Sequence, residues 1–203
     1  MTTPGRRELN KAATRQALQS AALRMFDEQG YADTTVRDIA SAADVTERTF
    51  FRYFPSKEDL VLGEVLDLIP VLGARVRARP ADEPPYPAVL NALLDVAAER
   101  EAGMGILFSG PPAQFLSPRT RAGAPVLFEF EAGLAEAIVS RLRHTSNGEG
   151  ETALALRASV LARASVAAMR STLIAYSALP EREKTPPELL RLIRETFAVL
   201  LNP

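Results

Sequence analysis

Apolar residues recur along most of this chain at intervals of three and four, the period of a helix that turns one face to a core. Leu18, Ala21, Ala22, Met25 and Phe26 make such a face, and Gly30 follows as its stop. Thr35-Val36-Arg37-Asp38 reads as a variant capping box opening a second helix through Ala42 or Ala43. Asp44-Val45 breaks the pattern, and Thr46–Phe54 forms a third short helix. Pro55 then stops the chain and Ser56 restarts it, as N-cap of a helix running to about Pro70 or beyond. The four prolines of Ala78–Pro87 predict a loop. Further helices are predicted over about 87–101, 103–116, 124–143, 151–178 and 187–201, punctuated by Gly110-Pro111-Pro112, Pro118, Ser146-Asn147-Gly148 and the stretch from Pro180 to Pro187. No segment alternates as a strand would, and no repeat of fixed period appears. The expected class is all-α: three short helices, a linking helix and a longer helical body.

Residues 35–54 have the layout of a helix-turn-helix, a helix of about seven residues, a brief turn and a second short helix. Ile39, Ala43, Val45, Phe50 and Phe54 fall on the inward side, and the small Ala40 lets the two helices approach. Glu47, Arg48, Phe51 and Arg52 then point outward. An outward face carrying Arg and Thr suits the major groove, where side chains meet base edges while the preceding helix crosses the backbone.

The run from Ile39 to Leu60, with Ala43, Val45, Thr49, Phe50, Tyr53, Phe54, Lys57 and Glu58 inside it, resembles the DNA-binding head of the TetR family. That family's pattern is roughly I-A-x-x-A-G-V-S-x-G-T-L-Y-x-Y-F-x-x-K-E-x-L. Ala22, Phe26, Gly30-Tyr31 and Thr34-Thr35-Val36 extend the likeness upstream, so that it covers about residues 9–62. Three departures bear on chemistry. Asp44 stands in place of a glycine, at a turn Asp can still make because it visits the left-handed region more readily than most residues. Arg48 replaces a second glycine and adds a long donor toward DNA, and Phe51 replaces a tyrosine, leaving a ring for a thymine methyl but no hydroxyl for phosphate.

The resemblance implies a DNA-binding domain over 1–57, with an N-terminal arm at 1–8, and an effector-binding and dimerisation domain over 58–203. The expected DNA-binding residues are Thr35, Arg37, Thr46, Arg48, Thr49, Phe51, Arg52, Tyr53 and Lys57, with Arg6 and Arg7 as a candidate minor-groove arm. Thr35 and Lys57 sit beside free amides of helix starts, where a phosphate would bind. The partners implied are a palindromic operator in double-stranded DNA, a second copy of the chain and a small-molecule effector that releases the DNA. Each of these single residues also has a plainer role open to it, as a cap or a solvated charge.

Past the head the sequence speaks less clearly. Leu189, Ile193, Phe197 and Leu200 form one stripe of the 187–201 helix, and the 151–178 helix is apolar over most of its circumference. Such a pair can dimerise as a four-helix bundle or simply fill an intramolecular core. Met104, Phe108, Phe115, Phe128, Phe130 and Tyr176 are candidates to line an effector pocket. Arg163 and Arg170 share a face of an apolar helix. They are candidates either to bind an anionic effector or to pair with Glu129, Glu131 or Glu136.

Composition narrows the alternatives. The net charge is −1, but residues 1–57 carry +2 and the remainder −3, a mildly basic head on an acidic body. With no cysteine and a single histidine, His144, there is no thiolate metal site, disulfide or Glu-x-x-His motif, and neither a nucleophile elbow nor a phosphate loop occurs. No enzyme and no cofactor are expected. No apolar run approaches the roughly 18 residues that cross a bilayer, so a soluble cytoplasmic protein is expected. A helical ligand-binding or scaffold homodimer without specific DNA binding is the alternative.

Overall fold

The computed structural model describes residues 5–99, 126–146 and 148–201, and every described element is helical. Helices α1 (Arg6–Gln29), α2 (Val36–Ala42) and α3 (Glu47–Tyr53) are followed by α4 (Lys57–Ala78) and α5 (Pro85–Glu99). After the undescribed stretch come α6 (Val126–Thr145), α7 (Glu151–Ser177), a 3-10 turn at Glu181–Glu183 and α8 (Pro186–Leu201). The helix expected over 103–116 lies outside the described residues. Two compact units result, one running through Glu64 and the other beginning at Val65.

In the first unit, the helical spacing of Leu18, Ala21, Ala22 and Phe26 produces the apolar face expected of it. These residues pack with Ile39, Ala40, Phe50, Phe54, Leu60 and Val61, all buried. Gly30 ends α1 at φ 85°, a conformation that L side chains rarely adopt, and its N–H closes on the Phe26 carbonyl at 3.0 Å.

In the second unit α7 is the central helix, touching α6, α8 and α5. The stripe predicted on α8 is buried at Leu189, Ile193 and Phe197, with Leu192 joining them, while Leu200 is only half-buried. Among the described residues α7 is also the one helix long and apolar enough to cross a membrane, contrary to the expectation that no such run exists. Its packing on three neighbours and its buried Ser165 and Thr172 mark it as the core helix of a bundle. Nor is it buried all round: Leu156, Val160 and Ile174 are exposed along one side, as is Val199 on α8.

One boundary falls within expectation and one differs from it. Helix α4 continues through Pro70 to Ala78, because Leu68, Leu72 and Val76 keep an apolar face in the core. That burial outweighs the hydrogen bond and steric penalty of an internal proline, about 3 kcal/mol. The loop expected over Ala78–Pro87 closes earlier, since Pro85 takes the first helical position, where a missing N–H costs nothing.

What organises that loop is Arg141 on α6, 7% exposed. Its guanidinium donates to the carbonyls of Val76 (3.1 Å), Arg79, Pro80 and Glu83 (2.7 Å each). One last-turn carbonyl of α4, that of Val76, and three carbonyls of the loop after it thereby gain a donor. On the same helix as Arg141, Gly133 is where α4 and α6 meet, and a Cβ there would run into Cγ2 of Ile69.

Candidate nucleic-acid interface

The geometry of the helix-turn-helix is set by three short-range devices. At the start of α2 the Thr35 hydroxyl accepts from the Asp38 N–H (3.1 Å), while the Asp38 carboxylate accepts from the Thr35 N–H (3.1 Å) and hydroxyl (2.5 Å). These hydrogen bonds from Thr35, with the Arg37 charge nearby, hold the Asp38 carboxyl below its ordinary pKa. Asp44 then takes φ 53°, so the turn survives without glycine, and the Val45 N–H reaches back to the Ala40 carbonyl at 2.9 Å. Thr46 caps α3 by accepting from the Thr49 N–H at 3.2 Å, and the two hydroxyls bond each other at 3.1 Å.

Helix α3 is seated by Phe50 and by Phe54 just beyond its end, both fully buried. Its other side faces away from the protein: Thr46, Glu47, Arg48, Phe51 and Arg52 are exposed, as is Arg37 on α2. Phe51 is 49% exposed, its ring standing edge-on to Phe50 with centroids 5.5 Å apart. Thr49 and Tyr53 are half-buried, and the Arg52 guanidinium lies 5.2 Å from the centre of the Tyr53 ring. Arg37 and Arg48 form no ion pair among the described residues. Glu47, which the sequence placed outward without a role, adds a carboxylate to the same surface; its position one residue before Arg48 was the available signal.

Lys57 has a different task from the phosphate clamp expected of its position. Its ammonium donates to the carbonyls of Tyr31 (2.6 Å) and Thr34 (2.7 Å) and lies 4.0 Å from the centre of the Tyr31 ring. Burial pushes its pKa down, opposed by the charges of Glu58 and Asp33. The side chain thus fastens the start of α4 to the turn between α1 and α2. Tyr31 in turn donates to Glu58 at 3.0 Å. The arm expected over residues 1–8 is helical from Arg6 onward, since Gly5 caps α1 and its carbonyl accepts from the Glu8 N–H at 2.9 Å. Arg6 is exposed in that first turn, and Arg7 belongs to the same helix.

The residues proposed for an effector pocket are not all brought together. Phe130 and Tyr176 are buried, whereas Phe128 is exposed on the first turn of α6. Arg163 is 62% exposed and pairs with Glu131 at 3.3 Å, the carboxylate alternative, because its position lies on the open side of α7. Arg170 is half-buried, and its Nε is buried with no acceptor among the described residues. Met104, Phe108 and Phe115 lie outside the described residues.

Comparison with known proteins converges on this head. The family model for bacterial regulatory proteins of the tetR family matches residues 18–63. The regulator TcmR of Streptomyces glaucescens is 42% identical over 89 residues, 44% of this chain and 39% of that protein. RutR of Escherichia coli K12 is 27% identical over 138 residues, 68% of this chain and 62% of RutR. The match therefore spans less than two thirds of either relative. Among solved structures, the TetR-family repressor FadR of Thermus thermophilus, in complex with lauroyl-CoA, superposes with a TM-score of 0.59 at 22% identity, covering 92% of this chain and 93% of that one. A FadR of Bacillus halodurans gives 0.53 at 15% identity, covering 98% and 97%. These likenesses carry the fold: an N-terminal helix-turn-helix followed by a helical C-terminal domain. The head thus matches the tetR family of bacterial regulatory proteins in sequence over residues 18–63, and the chain as a whole shares the fold of TetR-family structures.

Proposed function

We propose that this protein is a cytoplasmic, sequence-specific DNA-binding transcriptional regulator, a repressor released from a palindromic operator by a small molecule. The observation that carries this reading is the outward face of α3, where Arg48 and Phe51 stand exposed while Phe50 anchors the helix from behind. A repressor of this kind works as a homodimer whose two α3 helices enter major grooves about one turn apart, roughly 34–36 Å. The exposed apolar side of α7, at Leu156, Val160 and Ile174, together with Val199 on α8, supports pairing through these two helices. The effector acts by binding better to the state that does not fit the operator; without that difference in affinity it would shift nothing. Both T. thermophilus FadR, which is a repressor bound to lauroyl-CoA, and the RutR and TcmR regulators support a regulatory role for this fold.

Fluorescence polarization against labelled duplex tests the proposal. Binding to its own operator should weaken steeply with salt, by about 0.9 log units per decade for each phosphate neutralised. Duplex binding that ignores salt, or no binding at all, supports instead a helical ligand-binding or scaffold homodimer.

A further inference from the structure

The polar side chains of α3 are not equally available to a duplex. Thr46 and Thr49 spend their hydroxyls on the cap and on each other, and Arg52 lies against Tyr53. What remains on the outward side is Glu47, Arg48 and Phe51. An exposed carboxylate beside these residues would be repelled by phosphate, which turns this side toward base edges instead of backbone. Phe51 presents a ring with no polar atom, held in orientation by edge-on contact with the fully buried Phe50. Its complement must be apolar, and among the unmodified bases the major groove displays one apolar group, the C5 methyl of thymine. Arg48 has no ion pair among the described residues and carries the donor fork that fits O6 and N7 of guanine. Three positions apart on one helix, the two side chains start about 5–6 Å from each other. That spacing is within reach of neighbouring base pairs stacked roughly 3.4 Å apart.

We propose that Arg48 and Phe51 read a thymine–guanine step in each operator half-site, Arg48 bonding the guanine and Phe51 covering the methyl of the adjacent thymine. The assignment rests on the regulator reading above and adds the base chemistry that the head selects.

Selecting bound duplexes from random DNA with the full chain is the first test, with a TG step expected in every enriched half-site. In an enriched duplex, deoxyuridine in place of that thymidine removes only the methyl and should weaken binding about fourfold. Substituting 7-deazaguanine for the guanine removes N7 and should weaken it roughly tenfold. Both measurements use the unaltered protein, so they do not depend on a variant folding. Phe51→Ala should then abolish the deoxyuridine effect and keep the deazaguanine effect, while Arg48→Ala should do the reverse. Enriched sites lacking the step, or a step indifferent to both base analogues, overturn this assignment and leave the regulator reading standing. Failure to enrich any sequence overturns both.

Discussion

Arg48 and Arg141 are the same residue in opposite circumstances. In the body, the guanidinium of Arg141 is buried and divided among four main-chain carbonyls. The surface arginines around it stand on carboxylates: Arg75 on Glu99, Arg79 on Glu83 and Asp95, Arg143 on Glu151, Arg163 on Glu131, and Arg191 on Glu188 and Glu195. In the head, Arg37 and Arg48 reach solvent and make no ion pair among the described residues. Most of the body's arginines are thus answered from within, whereas Arg48 stands open to something outside. Exposed ion pairs add little stability, with a median of about 0–1 kcal/mol, so the body's pairs serve more to neutralise its surface than to hold it together.

The sharpest way to break that comparison is at Arg141. Arg141→Ala takes the guanidinium from four carbonyls, of which Val76 and Pro80 keep main-chain donors while Arg79 and Glu83 lose theirs, and the body should lose about 2–4 kcal/mol in urea unfolding. A loss under 1 kcal/mol would mean that the carbonyls find other donors. Arg141→Lys should recover only part, because a compact ammonium lacks the fork that spans both sides of the loop.

The opposite outcome is expected at Arg48. Arg48→Ala should change unfolding stability by less than about 0.5 kcal/mol. It should nonetheless lower operator affinity by roughly 1–3 kcal/mol with relaxed base preference. If affinity fell equally for all duplexes and the salt slope dropped by about one, Arg48 would be a phosphate contact.

The smallest effect should appear at Glu83. The hydrogen bond from Arg79, then that from Asn91 (2.6 Å) and the charges of Arg79 and Arg141, hold its carboxyl below the ordinary range against the pull of burial. A depressed carboxylate stabilises the fold at neutral pH. That stabilisation begins to fade below the ordinary carboxylate value and is gone once pH passes the lowered folded one. The difference in melting temperature between the wild-type chain and Glu83→Gln should therefore hold from pH 7 to about pH 5 and shrink as pH falls further toward 3. A gap constant across that range would assign Glu83 a role independent of its charge.

The head was legible because its devices are local. Thr35, Asp38, Gly30 and Thr46 act on residues three or four positions away, and Asp44 takes the left-handed turn expected of it. Lys57 already marks the limit: its partners are the carbonyls of Tyr31 and Thr34, which no side-chain pattern announces. Arg141 is the extreme case, since the carbonyls it binds lie 58 to 65 positions earlier. Main-chain oxygens look alike at every residue, so a sequence cannot say which of them a distant guanidinium will find. The same blindness applies to α7, whose apolar circumference gave no hint of which side would stay open. Pro85 shows the complementary error, in which a strong local signal yields to a helix start that tolerates proline.

The notch at Gly133 gives the body a lopsided mutational grammar. A single methyl added there would collide with the Ile69 side chain at a separation no real pair of carbons tolerates. Trimming Ile69 instead leaves a void that neighbours can partly fill. Lineages of this protein should thus accept a smaller residue at 69 before they accept alanine at 133, and the reverse order should pass through a chain in which Ile69 has to shift for α4 to pack on α6.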